Sequence, residues 1–319
     1  MAYEVLIILK ANGMKKKVLI IKLGYSETLV NEKGFTPSLG DVFRHTVLLH
    51  HYSNDEVTWL TSESALPLLK DNHFINKLMI YSKNTEEELK NCEFDEVLCL
   101  EKAPVFAKLL KSINSTRFLG FNCKTSGASA YRGAEPAMEI ANGADQFLPL
   151  QALLFQMVND YWHGENYILG YKPKTIPPFD VGFNHLVGSK WPSKSWPERN
   201  WKILEELLAN HGLIVSWQQG EKDIELYMDW INAGRLIVTC DSLGMHLGLA
   251  MKKKVVALFG PTPAEQIYMY GRGVTLTAEW ACEKAPCWQP SCEIDKLCMA
   301  EIKPHMVARV ITNLINGKS

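Results

Sequence analysis

What this chain lacks narrows it first. No stretch reaches the roughly 18 consecutive apolar residues that a membrane-crossing helix needs. The net charge is only −1, which removes any general electrostatic pull toward nucleic acid, so no nucleic-acid partner is expected. No internal repeat and no low-complexity tract stands out, which argues against a solenoid or a disordered chain. The N-terminus lacks the layout of a secretory signal: the apolar core at residues 5–9 is too short and no small-residue cleavage site follows. A cytoplasmic location is therefore expected, with residues 1–13 an extension ahead of the regular pattern. Positive charge is concentrated in only two runs, Lys15-Lys16-Lys17 and Lys252-Lys253-Lys254. Each adjoins an apolar strand, so both read as solvated strand entries, with at most a peripheral contact to an anionic membrane surface as the alternative.

What is present fits a globular α/β protein. An apolar fraction of 47% beside 22% charged residues supplies enough core for two domains of about 150 residues each. Short β-branched runs at residues 17–23, 57–60, 77–81, 96–100 and 117–121 alternate with helical stretches, which predicts a parallel sheet with right-handed crossovers. Residues 127–143 are Gly/Ala-rich with weak periodicity and read as loop. Residues 148–162 read as one long apolar helix. The Gly/Pro/Lys-rich residues 164–178 carry the domain boundary, giving an N-terminal half, 1–165, and a C-terminal half, 166–319. The second half repeats the alternation from residue 180 onward and ends on a helix at 306–315, for which packing back on the first half is one option. Two Rossmann-like halves facing each other suit a ligand held in the cleft between them.

The most informative stretch is residues 236–262, LIVTCDSLGMHLGLAMKKKVVALFGPT. It reads as strand, tight turn, helix, strand and turn. Asp241-Ser242 offers N-cap chemistry, and Leu243, Leu247, Ala250 and Met251 share one helical face. The carboxyl edge of such a sheet is where ligands bind, and a helix N-terminus there presents free N–H groups and partial positive charge to a phosphate. Residues 241–246 are therefore candidates for gripping a nucleotide diphosphate, against the plainer alternative of an ordinary capped βαβ unit. In the first half, Ser38-Leu39-Gly40-Asp41 opens the helix after the first strand and sets Asp41 on the ligand rim of the sheet. A polar stretch, 25–38, intervenes between the two.

Three segments in order carry a family resemblance: KVLIIKLG with SLGDVFRHTVLL, then Lys194-Ser-Trp-Pro-Glu-Arg-Asn-Trp201, then Asp241-Ser-Leu-Gly-Met-His246 with VVALFGPT. Together they resemble glycosyltransferase family 9, the ADP-heptose:lipopolysaccharide heptosyltransferases. The resemblance implies the GT-B architecture, two Rossmann-like domains facing across a cleft, with acceptor on the first half and sugar nucleotide on the second. It implies an inverting transfer, in which Asp41 takes the acceptor hydroxyl's proton as general base. Gly40 stands beside that base. Lys194, Asp241, Ser242, Gly244, Met245, His246, Gly260, Pro261 and Thr262 fall on the donor side. ADP-heptose is the expected donor and a saccharide or other hydroxyl compound the acceptor, with no cofactor required for catalysis. Two departures matter. The family joins its first strand to the Gly-Asp-Val motif by a very short loop where this chain has residues 25–38, and Leu243-Gly244 replaces the usual Gly-Pro. The alternatives are a GT-B nucleotide-sugar epimerase and a non-catalytic nucleotide-sugar-binding protein.

Cys282, Cys287, Cys292 and Cys298 form a small Cys-rich segment near the C-terminus, with spacings x4, x4 and x5. Four thiolates on a structural zinc or iron, four free thiols, and two disulfides are the alternatives. A related branch, the autotransporter-adhesin heptosyltransferases, carries iron on a cysteine finger, so the resemblance adds iron to the first of these.

Overall fold

The computed structural model describes residues 15–25, 36–141, 148–220, 222–292 and 298–317. The extension at 1–13 and most of the polar stretch, 26–35, lie outside the described residues.

The first half is built on a six-stranded sheet. Its members are β1 (Lys17–Ile21), β2 (Glu56–Thr61), β3 (Lys77–Ile80), β5 (Glu96–Cys99), β7 (Phe118–Lys124) and β8 (Gly127–Ala130), in the order β3-β2-β1-β5-β7-β8. All neighbours run parallel except β7 and β8, which pair antiparallel. Two short strands, β4 (Glu93–Phe94) and β6 (Asn114–Ser115), pair apart from it. The helices are α1 (Leu39–Arg44), α2 (Leu66–Leu69), α3 (Thr85–Lys90), α4 (Ala107–Ser112), α5 (Glu135–Ala141) and α6 (Leu150–Met157). The second half carries a parallel five-stranded sheet in the order β10-β9-β11-β12-β13, with β9 (Phe179–Asn184), β10 (Val215–Trp217), β11 (Gly234–Cys240), β12 (Lys254–Phe259) and β13 (Gly273–Thr277). Its helices are α7 (Glu198–Ala209), α8 (Ile224–Ala233), α9 (Leu243–Ala250) and α10 (Pro304–Ile315).

Strand β1 is buried over four of its five residues, as expected for a central strand covered on both faces, where near-continuous apolar sequence replaces alternation. The segment 127–143, expected as loop, instead holds β8 and α5. Its Gly and Ala residues suit an edge strand that carries little side chain, so periodicity had nothing to register. The helix expected over 148–162 stops at Met157. Asn159 takes a positive φ of 59°, which ends helical geometry, and the chain then runs irregularly to β9 at Phe179. That run acts as a strap. Tyr167 and Tyr171 join one continuous core cluster that also holds Phe43 and Val47 of the first half and Met245 and Leu249 of the second. The terminal helix α10 packs on α7 and on strands of the second sheet rather than back on the first half. Val307, Ala308 and Ile311 enter a separate core there with Trp196, Trp201 and Leu204. Both lysine runs enter strands, β1 and β12, at the ends remote from the carboxyl edges. No helix among the described residues is long and apolar enough to cross a membrane.

Candidate active site

Helix α1 has only six residues, too short to stand alone in water. Packing holds it: Val42 and Phe43 are fully buried, each contributing about 2 kcal/mol of burial. Its start is fixed by a pinch. Ser38 N–H donates to the Gly24 carbonyl at 2.8 Å, and Gly24 has φ +88°, where an added Cβ would lie 2.8 Å from Ser38 O. Glycine is needed for both reasons. Gly24 and Ser38 therefore stand side by side, and α1 begins next to the end of β1.

Asp41 sits in the first turn of α1 and is 3% exposed. Its Oδ2 lies 2.5 Å from Lys22 Nζ. Its Oδ1 accepts from Arg44 Nε at 3.0 Å and Nη2 at 2.6 Å. The His45 ring contacts the Asp41 carbonyl through Nδ1. Lys22 in turn lies 3.5 Å from Glu101, whose Oε1 accepts from the Leu23 and Gly24 amides at 2.8 Å each. Burial alone pushes the Asp41 carboxyl up, but Lys22, then Arg44, with Lys102 further off, hold it well below the usual carboxylate range. Burial and then Lys22 keep His45 neutral, well below its ordinary value.

A wall from the second half faces this cluster across the cleft, and it carries the expected donor-side residues Lys194, Asp241, Ser242 and His246. Lys194 ends a 3-10 turn, is 6% exposed, and lies 2.7 Å from Asp241 Oδ2. Thr262 donates its hydroxyl to the same oxygen at 2.9 Å. Burial raises the Asp241 carboxyl, yet Lys194 in particular brings it down to about 2. Three residues distant in sequence thus form one ion-paired unit. Ser242 is the N-cap of α9 by position, but its side chain makes no capping bond. It accepts from Asn184 Nδ2 at 2.8 Å instead. Asp241 is likewise committed to Lys194 and Thr262, which corrects the expectation of N-cap chemistry from this pair. The Met245 amide donates to the Ser242 carbonyl at 3.1 Å, and the α9 amides ahead of it are then left for a ligand or solvent.

His246 is 3% exposed. Burial, and next the charge of Arg44, push it down to about 3, so the ring is neutral. Its Nδ1 has no partner among the described residues, and its ring meets Tyr167 edge-on at 5.4 Å. Gly244 is required by space: a Cβ there would run into Tyr227 Oη and Asn184 Nδ2. Tyr227 also donates to Asn184 Oδ1 at 2.7 Å. The Leu243-Gly244 departure is therefore a tight fit of α9 against α8 and β9. Gly40 lets the two walls approach, since a Cβ on it would lie 3.4 Å from the Leu243 backbone and from the His246 ring.

Between the walls lies a cavity of about 390 Å³, lined by Gly40, Asp41, Arg44, Asn184, Lys194, Gln218, Asp241, Ser242 and His246 among others. Five of the expected donor-side residues do not line it: Gly244 and Thr262, already placed against Asn184 and Asp241, and Met245, Gly260 and Pro261. Met245 is fully buried in the core, because one turn of helix points it away from the cleft. Gly260 packs on the C-terminal segment, where a Cβ would lie 2.7 Å from Met299 Sδ and 2.8 Å from Cys298 Sγ. The Pro261 carbonyl accepts from the Trp288 amide at 2.8 Å. Sequence reasoning missed Lys22, Arg44, Asn184, Gln218 and Tyr227. Only Lys22 carried a signal, a lysine interrupting an apolar strand run.

The Cys-rich segment braces the donor wall. Ser193, next to Lys194, donates N–H to Pro290 O at 3.1 Å and its hydroxyl to Gln289 O at 2.6 Å. Cys282, Cys287, Cys292 and Cys298 are all free thiols, which sets aside the disulfide alternative. Burial and then the other three cysteines push the Cys298 thiol up. Among the described residues no group of three or more His, Cys, Asp or Glu is placed to hold a metal ion. As they stand, the four thiols do not fit a metal centre.

A family model of glycosyltransferase family 9 (heptosyltransferase) matches residues 219–298. Lipopolysaccharide heptosyltransferase 1 of Pseudomonas aeruginosa is 25% identical over 273 residues, covering 70% of this chain and 74% of its own length. The chain is a relative of glycosyltransferase family 9. The enzyme class that goes with this family is glycosyl transfer. The E. coli heptosyltransferase WaaC, solved with ADP, shares the fold with a TM-score of 0.63 at 14% identity, over 93% of this chain and 99% of its own. The iron-containing dodecameric glycosyltransferase TibC of enterotoxigenic E. coli shares it with a TM-score of 0.57 at 12% identity, over 96% and 77%. The two-sheet architecture of this family-9 relative is thus the GT-B fold of those heptosyltransferases.

Proposed function

We propose that this family-9 relative is an inverting glycosyltransferase. It moves a sugar from a nucleotide diphosphate sugar, with ADP-heptose the expected donor, to a hydroxyl of a saccharide or other acceptor. One observation carries the reading: a single cavity has a buried carboxylate, Asp41, on one wall and a lysine with a free helix N-terminus, Lys194 and α9, on the other. A phosphate partner suits the second wall. A lone carboxylate facing it suits a single in-line displacement, in which the acceptor oxygen attacks the anomeric carbon from the side opposite the diphosphate. The heptosyltransferase relative and the ADP-bound neighbour support the donor class.

Asp41 takes the proton as the acceptor oxygen bonds to carbon. Its carboxyl, held low by Lys22 and Arg44, is a weak base toward a free alcohol. It becomes competent only when the forming bond has made that hydroxyl acidic, so proton transfer is late. Lys194 and the α9 amides stabilise the charge growing on the diphosphate. The chemistry proposed for this chain routes no step through a metal.

The test is an Asp41→Ala variant offered ADP-heptose and an acceptor-bearing fraction, with products followed by mass spectrometry. ADP binding at least as tight as wild type, with transfer lost by at least about a hundredfold, supports the role of general base. Turnover equal to wild type would remove Asp41 from the mechanism. Product formed from donor alone would point to an epimerase instead.

A further inference from the structure

The two cations on Asp41 differ in their exposure. Lys22 is 1% exposed and sealed below the cavity, held also by Glu101 and by the Leu100 carbonyl at 3.3 Å. Arg44 lies one helical turn after Asp41 at the open end. Its side chain is 16% exposed where that of Asp41 is 2%, and it lines the same cavity as Lys194, Asp241 and His246. Its charge is felt across the cleft, being the largest cause after burial of the depressed His246. It also acts on Tyr167, in the strap that spans both halves. Arg44 thus faces the donor wall while still bound to the base.

We propose that Arg44 is passed from Asp41 to the leaving diphosphate during sugar transfer. This rests on the reading of Asp41 as base and of the second wall as donor site. In the step, the acceptor O–H bond breaks and its proton goes to Asp41. The acceptor oxygen bonds to the anomeric carbon, and the anomeric C–O bond to phosphate breaks with its electron pair staying on the phosphate oxygen. One negative charge therefore leaves Asp41 and appears on the diphosphate. Neutral Asp41 no longer holds a guanidinium, whereas the diphosphate has gained the charge that a guanidinium fork matches in two-pronged fashion. Lys22 stays in place because Glu101 still holds it. Arg44 would then couple the arrival of the proton to stabilisation of the leaving group.

Asp41→Asn mimics the protonated base, so the handover can be read without an acceptor, as ADP affinity by calorimetry in a double-mutant cycle. Wild type, Asp41→Asn, Arg44→Gln and the double variant are compared, each checked for folding by thermal melt. Asp41→Asn is expected to bind ADP about tenfold tighter than wild type, the gain of one charge-assisted contact. Arg44→Gln alone supplies the reference affinity for its background, and the double variant should show no gain over Arg44→Gln. Should Arg44→Gln fail to fold, Arg44→Lys takes its place, with the gain cut to a few-fold because the fork is lost. A gain that persists undiminished in the Arg44 variant background would mean that Asp41 acts through its field alone, and would overturn the handover. So would an Asp41→Asn variant no tighter than wild type. Either result leaves the donor site standing, whereas failure of wild type to bind ADP at all would bring down the donor reading itself.

Discussion

Replacing Lys22 by methionine is the most searching test of the cluster that holds Asp41. The change keeps the volume of a fully buried side chain and deletes its charge. Lys22 forms a 2.5 Å ion pair with Asp41, a 3.5 Å pair with Glu101 and a bond to the Leu100 carbonyl at 3.3 Å. Removing one partner of a buried ion pair costs about 3–5 kcal/mol, because the other is left uncompensated. Here Asp41 keeps Arg44, and Glu101 keeps two backbone amides, so the lower end applies, about 3 kcal/mol. That is a large share of the roughly 5–15 kcal/mol that a domain has. The pH dependence follows in sign. The folded Asp41 lies well below its ordinary value of 3.8, so its contribution is present above that value and lost as pH falls through the folded one. Without Lys22 the folded carboxyl rises toward 3.8, so this contribution shrinks and the acid-side loss of stability shrinks with it. Lys22 itself is raised above 10.5, so its contribution is full below 10.5 and lost as pH climbs through the folded value. The variant should lack that alkaline loss. Urea unfolding across pH, together with the acid limb of kcat/KM, reads both effects. A loss below about 1 kcal/mol, well short of the expected cost, with an unshifted acid limb would refute the view that Lys22 sets the state of the base.

Lys194→Ala should weaken ADP binding by about tenfold or more, as expected when a charge-assisted phosphate contact is lost, and calorimetry checks it. Since Asp241 also loses the partner that brings it down to about 2, the stability cost should be full above its ordinary 3.8 and fade as pH falls toward 2. Gly244→Ala should cost about 1–3 kcal/mol by overpacking against Tyr227 and Asn184, read by thermal melting. An unchanged Tm would mean α9 can shift freely. His246 is depressed to about 3, so its neutral form is favoured by folding above about 6.5 and that preference is lost as pH falls toward 3. His246→Gln should flatten the stability profile between those values while leaving ADP affinity without a step near pH 6.5. Elemental analysis of protein purified without chelator should find no stoichiometric zinc or iron. One full equivalent, lost in Cys287→Ser, would show that the four thiols rearrange into ligands.

Most strands and the second half's βαβ unit were legible, because buried parallel strands announce themselves as short β-branched runs and α9 follows β11 through a tight turn. Segment 127–143 was not, since a Gly/Ala edge strand carries too little side chain for periodicity to show. The long helix expected at 148–162 failed because Asn159 takes a positive φ of 59°, after which Trp162 packs on the core while Tyr161 stands exposed. Among the site residues, Asp41, Lys194, Asp241, Ser242 and His246 stood out by motif and do line the cleft. Met245, Gly260 and Pro261 shared those motifs, but helix phase and the C-terminal segment turned them toward packing.

By itself the sequence determined the alternation of strands and helices, the residue types at the two sheet edges and the likeness to family 9, because all of these are written in local order. Tertiary structure alone decided the electrostatics. Lys22, Glu101 and the Asp41–Arg44 pair of α1 are brought together from separate elements, as are Lys194, Asp241 and Thr262. Only their shared burial, in a medium where charges act strongly on one another, sets which carboxylate is pinned, which histidine is neutral and which arginine faces the donor.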